Sequence, residues 1–196
     1  SLDTRRVRTP MIELTRHCPL THLRITGSCS RLTGEGLVQM CRNMPNLVEL
    51  YLVGFQFLSD PLVTVLAQNL SHLVHLSLKC CNRVSPAGLV AVSKYCRSLE
   101  TLDIGFSSRL VGYGAVDSLI GCIGHFSSTL KSLNVGIAAF QVNRYEGEYP
   151  EEGDDAEVAG INDLQMVYPW LNIIRDFAIY NDSHFANWTL GIDCAD

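Results

Sequence analysis

The sequence lacks the motifs that most often reveal an enzyme. Its 196 residues contain no Gly-x-Ser-x-Gly nucleophile elbow, no Gly-x-x-x-x-Gly-Lys-Ser/Thr phosphate loop and no His-Glu-x-x-His metal motif. The acidic residues between 146 and 157 are numerous, but they do not have the spacing of a calcium-binding loop. We therefore expect a non-enzymatic protein without catalytic residues, a cofactor or a metal site.

Long hydrophobic runs and paired cysteines are also missing. No apolar stretch approaches the 18 residues that indicate a transmembrane helix, so no membrane span is expected. The eight cysteines include no Cys-x-x-Cys pair and do not cluster with histidines at the spacing of metal ligands. They are predicted to be reduced structural thiols, which favours a cytoplasmic or nuclear location.

Basic residues are scarce in the second half of the chain. Residues 111–196 hold three basic residues against thirteen acids, whereas residues 1–50 hold seven arginines against four acids. The net charge of −5 argues against nucleic acid as the main partner. The acidic end is interpreted either as a solvated loop, which we favour, or as a surface that attracts a basic protein partner.

The sequence does contain a repeated phrase, Leu-x-x-Leu-x-Leu/Ile. It begins at Leu47, Leu73 and Leu99, which are 26 residues apart, and further copies begin at Leu20 and Leu130. A period in this range indicates a solenoid of stacked units. Because strand side chains alternate, the fourth and sixth positions of each phrase should enter the core, and the third and fifth should face outward.

Residues 73–89 read Leu-x-x-Leu-x-Leu-x-x-Cys-x-x-Val-Ser-x-x-Gly-Leu. This phrase resembles the cysteine-containing leucine-rich repeats and is similar to those of F-box/leucine-rich-repeat proteins. The resemblance implies an α/β fold: a right-handed solenoid with a parallel sheet on its concave face and helices on its convex face. The ninth position, where that family places Cys or Asn, is not uniform in this chain. Its occupants are Ser28, Phe55, Cys81, Ser107 and Ala138.

The resemblance also implies a function, the substrate-recognition part of an F-box-type ubiquitin ligase. No F-box-like helical segment precedes the repeats in this sequence. A ubiquitin-ligase adaptor would therefore have to bind through a missing upstream segment. The alternative is an architectural leucine-rich-repeat subunit of a large multiprotein complex with no ubiquitin role.

The repeats predict one domain over residues 1–196, with a partial first unit at 10–19 and full units from about 20, 47, 73, 99 and 130. Gly88 precedes Leu99 by 11 residues, and Gly160 precedes Leu171 by the same number. This register predicts a degenerate sixth unit at about 160–178, in which Leu164 and Tyr168 face inward and the strand includes Leu171 and Ile174. An acidic insertion is expected at 143–157 and a C-terminal cap at 177–196. Either residues 1–9 form an irregular cap, or this chain is a piece cut from a longer protein. We favour the second interpretation.

A protein partner is expected to bind the outward positions of the strands. Arg24 and Tyr51 are of residue types enriched at binding hot spots, and they fall on adjacent strands. Phe55 and Phe106 follow the strands and are expected to fill the interior between units. The predicted partner-binding residues are His22, Arg24, Glu49, Tyr51, His75, Ser77, Lys79, Thr101, Asp103 and Asn134.

Overall fold

The computed structural model describes residues 15–16, 20–26, 32–111, 116–126, 129–136 and 162–174. The acidic insertion at 143–157, the C-terminal cap at 177–196 and most of the partial first unit lie outside the described residues. Those three assignments therefore remain predictions.

Six parallel strands form one sheet in the described part of the chain, and their spatial order follows their sequence order. Each of the first five carries the repeated phrase. This arrangement confirms the predicted α/β solenoid fold. The strands are β1 (His22–Thr26), β2 (Glu49–Val53), β3 (His75–Ser77), β4 (Thr101–Asp103), β5 (Ser132–Asn134) and β6 (Asn172–Ile174).

Helices alternate with the strands. They are α1 (Gly34–Asn43), α2 (Asp60–Asn69), α3 (Pro86–Tyr95), α4 (Ser108–Val111) and α5 (Val116–Ile123), followed by a helical segment at 162–167. The sequence explains where α3 begins. The Ser85 hydroxyl accepts a hydrogen bond from the Ala87 amide at 3.3 Å, and Pro86 occupies the first turn, where an amide has no helical partner.

The core is built from the same position of successive strands. Leu23, Leu50, Leu76, Leu102 and Leu133 pair from strand to strand, and each is at most 5% exposed. Parallel strands lie about 4.8 Å apart, whereas packed helices need about 8–10 Å. The helical layer is therefore the longer one, and the sheet lies on the inner side of the curve.

The turn after each strand adopts one conformation in three successive units. Gly54, Cys80 and Phe106 occupy equivalent positions and have φ values of 76°, 59° and 59°. The next residue holds the units together in two of these turns. The Cys81 thiol donates to the Leu52 carbonyl at 3.4 Å, and the Ser107 hydroxyl donates to the Leu78 carbonyl at 2.9 Å. Serine thus replaces cysteine at the ninth position without losing the contact to the preceding unit.

The fourth unit runs from Leu99 to Leu130 and is five residues longer than the 26-residue repeat. The structure places some of the additional residues between β4 and α5. A short helix, α4, precedes α5 and buries Leu110 completely. The remainder lengthen the connection between Ile123 and Leu130.

The sixth unit is shifted by one residue. Leu171 is 1% exposed and immediately precedes β6, which was expected to include it, and Leu133 pairs with Ile173 and not with Ile174. Since a one-residue shift turns side chains to the opposite face, Ile173 is half-buried and Ile174 is 39% exposed. Leu164 is fully buried, as expected from the register of eleven residues.

Candidate partner-binding surface

The outward residues of β1 to β5 form one surface, which we call the sheet face. The pairing of the strands places nine of the ten predicted binding residues, all except Lys79, in two straight rows across it, and Ser132 completes the first row. The first row is His22, Glu49, His75, Thr101 and Ser132, and the second is Arg24, Tyr51, Ser77, Asp103 and Asn134.

Glu49 lies at the centre of the first three strands. Its Oε1 atom is 3.4 Å from His22 Nε2 and 3.9 Å from His75 Nε2. Its Oε2 atom accepts a hydrogen bond from the Tyr51 hydroxyl at 3.2 Å. The two histidines lie in the same row, two strands apart. The carboxylate between them connects three neighbouring strands.

Tyr51 links this carboxylate to an exposed cation. The Arg24 guanidinium carbon lies 5.5 Å from the centre of the Tyr51 ring, a cation–π distance. Burial raises the pKa of the Tyr51 phenol, and the adjacent Glu49 carboxylate raises it further. Tyr51 therefore stays protonated at neutral pH and donates to Glu49, which fixes its ring beneath Arg24.

Ser77 differs from its expected role. It was predicted to be an exposed contact residue, but it is only 2% exposed, because its short side chain lies between Tyr51 and Asp103 in the second row. Its hydroxyl donates to Asp103 Oδ2 at 3.1 Å. Ser77 thus supports the surface from below and has almost no exposed area with which to contact a partner.

Asp103 and Asn134 also shape the surface. Asp103 Oδ1 accepts from the Gly105 amide at 3.0 Å, and Asn134 Oδ1 accepts from the Gly136 amide at 2.9 Å. In both units the polar side chain closes the turn that follows its strand. Thr101, in the first row, is half-buried and lies on the same strand as Asp103.

Aromatic rings border the sheet face where the strands end. Phe55 and Phe106 are 1% and 7% exposed, which agrees with their predicted role in filling the interior. Phe57 is half-buried and meets Phe55 edge to face at 5.1 Å between ring centres. Lys79 lies with its Nζ atom 4.9 Å from the centre of the Phe106 ring. Phe106 therefore supports a cation at the border of the sheet face.

Other kinds of site find little support in the described residues. Within them, no group of three or more His, Cys, Asp or Glu side chains is arranged to hold a metal ion, and no helix there is suited to crossing a bilayer. The buried thiols are poor nucleophiles because burial raises the pKa of each to about 12. They are Cys41, Cys81, Cys96 and Cys122.

Sequence reasoning missed one feature at the end of the described solenoid. Four large apolar side chains are exposed there: Met166 at 71%, Val167 and Trp170 at 52% each, and Ile174 at 39%. The sequence did contain a signal, since Met166, Val167 and Trp170 are three large apolar residues within five positions. The contribution of Ile174 depends on the shifted register of β6 and is not visible in the sequence.

Comparisons with known proteins agree with this fold. A family model described as "Leucine Rich repeat" matches residues 69–93. The chain is 33% identical over 81 residues to "Antagonist of mitotic exit network protein 1" of Saccharomyces cerevisiae, a match that spans 41% of this chain and 14% of that protein. The solved structure of "Leiomodin-1 Actin-Binding Site 2 (ABS2)" covers 82% of this chain and 88% of its own, with a TM-score of 0.53 and 15% identity. The last likeness is one of fold alone, and the three together support a leucine-rich-repeat α/β solenoid.

Proposed function

We propose that this chain is a non-enzymatic protein-recognition module that binds its partner through the sheet face. The observation that carries the proposal is the connected cluster of Arg24, Tyr51, Glu49 and the two flanking histidines on β1 to β3. Arginine and tyrosine are the residue types that most often dominate binding energy. They lie here on the inner surface of the curve, where a solenoid can surround a partner.

The contacts within the cluster reduce the cost of binding. Tyr51 is fixed by its hydrogen bond to Glu49 at 3.2 Å, and Arg24 is stacked on its ring. Ordering a flexible side chain costs about 0.5–1.5 kcal/mol at an interface, so side chains ordered in advance retain more of their contact energy. The strands beneath are anchored by fully buried leucines, which makes the cluster a rigid surface.

Binding by paired variants tests the proposal. Tyr51→Ala and Arg24→Glu should each weaken partner binding at least tenfold, since truncated hot-spot residues cost about 2 kcal/mol or more. Lys131→Gln is the matched control because this exposed lysine precedes β5 and pairs with Glu100 at 2.8 Å, away from the cluster. Partners would be captured from cells with the tagged natural protein and quantified by mass spectrometry. Unchanged capture by both variants, with intact circular dichroism, would rule out this surface.

The finer proposal is the substrate-recognition part of an F-box-type ubiquitin ligase. The resemblance of residues 73–89 supports it, and the buried thiols support a cytoplasmic or nuclear location. The natural protein should then co-purify with a Skp-type adaptor and a cullin. Recovery of a partner without either would leave the recognition function in place and remove the ligase role.

A second candidate is an architectural subunit, and the exposed apolar cluster of Met166, Val167, Trp170 and Ile174 favours it. An apolar patch at the end of a solenoid is a natural contact for a neighbouring subunit. The acidic insertion at 146–157 would offer a further contact to a basic partner. In this case Trp170→Ser, or deletion of 146–157, should disrupt assembly, whereas Tyr51→Ala should not.

A further inference from the structure

We propose that the sheet face selects an acidic, extended segment of its partner, with one carboxylate bound by Arg24 beside the Tyr51 ring. This inference rests on the proposed function and adds the chemistry of the partner. It follows from which charged groups of the sheet face are already engaged and which one is not.

The two carboxylates of the sheet face are both engaged within the chain. Glu49 uses one oxygen towards the imidazoles of His22 and His75 and the other towards the Tyr51 hydroxyl. Asp103 accepts from the Gly105 amide with one oxygen and from the Ser77 hydroxyl with the other. Each of these oxygens already faces a donor within the chain, so the two carboxylates have fewer free acceptor sites for a basic partner.

Arg24 is in the opposite situation. It is exposed, and among the described residues its contact is with the Tyr51 ring. In the described part of the chain, the ion pairs leave its guanidinium group without a carboxylate. A guanidinium carries five donors in a planar fork that fits a carboxylate with two hydrogen bonds, and stacking on a ring leaves that edge open.

A second cation near Arg24 also favours an acidic partner. On β1 to β3 and just after β3, Arg24 and Lys79 carry positive charge, and the Glu49 carboxylate lies between its neighbours on β1 and β3. Lys79 lies two strands from Arg24, which strand spacing and rise put at roughly 12 Å. An extended segment covers that distance in about three or four residues at 3.3 Å each. Two acidic residues three apart in such a segment would therefore span about the distance between Arg24 and Lys79.

This selection differs from the partner suggested by the acidic C-terminal third of the sequence. That argument pointed to a basic partner and depends on residues 146–157, which are outside the described residues. The sheet face and the insertion would then bind different partners, or different parts of one partner. Under this proposal, the segment of the partner that contacts the sheet face is the acidic one.

The test uses a fluorescein-labelled twelve-residue peptide of repeating Glu-Ser-Ser, with repeating Gln-Ser-Ser and Lys-Ser-Ser peptides as charge controls. Fluorescence anisotropy should show the Glu peptide binding at least tenfold more tightly than either control, and more weakly as salt rises. Arg24→Glu should reduce that affinity at least tenfold, whereas Lys131→Gln should change it less than twofold. Circular dichroism of each variant confirms folding.

The outcomes separate this inference from the proposed function. No binding of the Glu peptide at millimolar concentration, or equal binding of the Lys peptide, overturns the acidic-segment proposal. If Arg24→Glu and Tyr51→Ala still abolish capture of the natural partner in that case, the recognition function stands. If neither variant alters capture, the sheet face is not the binding surface, and the proposed function fails as stated.

Discussion

Replacing Gly88 with alanine should destabilise the chain, although alanine is the better helix former. Gly88 is buried in the first turn of α3 and packs against Asp60, the first residue of α2. A Cβ atom at position 88 would lie 2.6 Å from Asp60 Oδ1 and 3.2 Å from Val84 Cγ1. The carboxylate cannot move away freely, since it accepts from the Ser85 amide at 2.7 Å and the Ser85 hydroxyl at 2.6 Å.

The magnitude follows from two opposing terms. Alanine in place of glycine inside a helix contributes about 1 kcal/mol of stability. Moving Asp60 breaks two charge-assisted hydrogen bonds, worth about 1.5–3 kcal/mol each when well buried and less at this half-buried position. The loss is therefore about 2–3 kcal/mol, and the net effect is a free energy of unfolding lower by about 1–2 kcal/mol. For a chain of this size, each kcal/mol lowers the melting temperature by about 2–4 °C.

Gly121 in α5 provides the matched control. A Cβ atom there meets nothing within 4 Å, so Gly121→Ala should raise the free energy of unfolding by about 0.5–1 kcal/mol. Both variants would be unfolded in urea and followed by the helical circular dichroism signal. In an Asp60→Ala background, Gly88→Ala should lose most of its cost, because the obstructing oxygen is gone. A Gly88→Ala protein as stable as Gly121→Ala would refute the proposed contact.

Three further results are expected. Ser107→Ala should lower the free energy of unfolding by about 1–2 kcal/mol in urea titrations, because the Leu78 carbonyl and Cys81 amide lose a buried partner, whereas Ser107→Cys should retain most of the stability. Ile173→Ala should cost more stability than Ile174→Ala in the same assay, and the reverse order would contradict the shifted register of β6. The folded chain holds its buried thiol protons more tightly than the unfolded chain, so the thiol contribution to stability should be constant below about pH 8.5 and should be lost as pH rises from there towards 12; no loss of stability over that range would be inconsistent with the raised thiol pKa values of Cys41, Cys81, Cys96 and Cys122.

The regular part of the fold was predictable because one physical constraint repeats. A leucine at the fourth position must be buried in every unit, so the register of β1 to β5 follows from the spacing of Leu23, Leu50, Leu76, Leu102 and Leu133. The sixth unit was less predictable because Ile173 and Ile174 are equally apolar. The hydrophobic pattern alone does not choose between them. The choice depends on how β6 is hydrogen-bonded to β5.

The candidate site was predictable in its rows but not in its contacts. Parallel pairing with a fixed register places Arg24 beside Tyr51, and this needs only the sequence period. The position of the Glu49 carboxylate between two imidazoles depends on side-chain rotamers, which the period does not specify. The burial of Ser77 depends in turn on the size of its neighbours. The sequence period therefore predicts which residues are neighbours, whereas their hydrogen-bond partners depend on side-chain conformations that the period does not determine.

The composition of the second row explains why recognition should be concentrated on β1 to β3. From strand to strand this row reads Arg24, Tyr51, Ser77, Asp103 and Asn134. The first two side chains are long and stand above the sheet, whereas Asp103 and Asn134 are short and use their oxygens to close their own turns. The β4 and β5 end therefore offers a partner less side-chain surface and fewer unsatisfied groups. Substitutions at Thr101 or Asn134 should accordingly alter binding much less than substitutions at Arg24 or Tyr51.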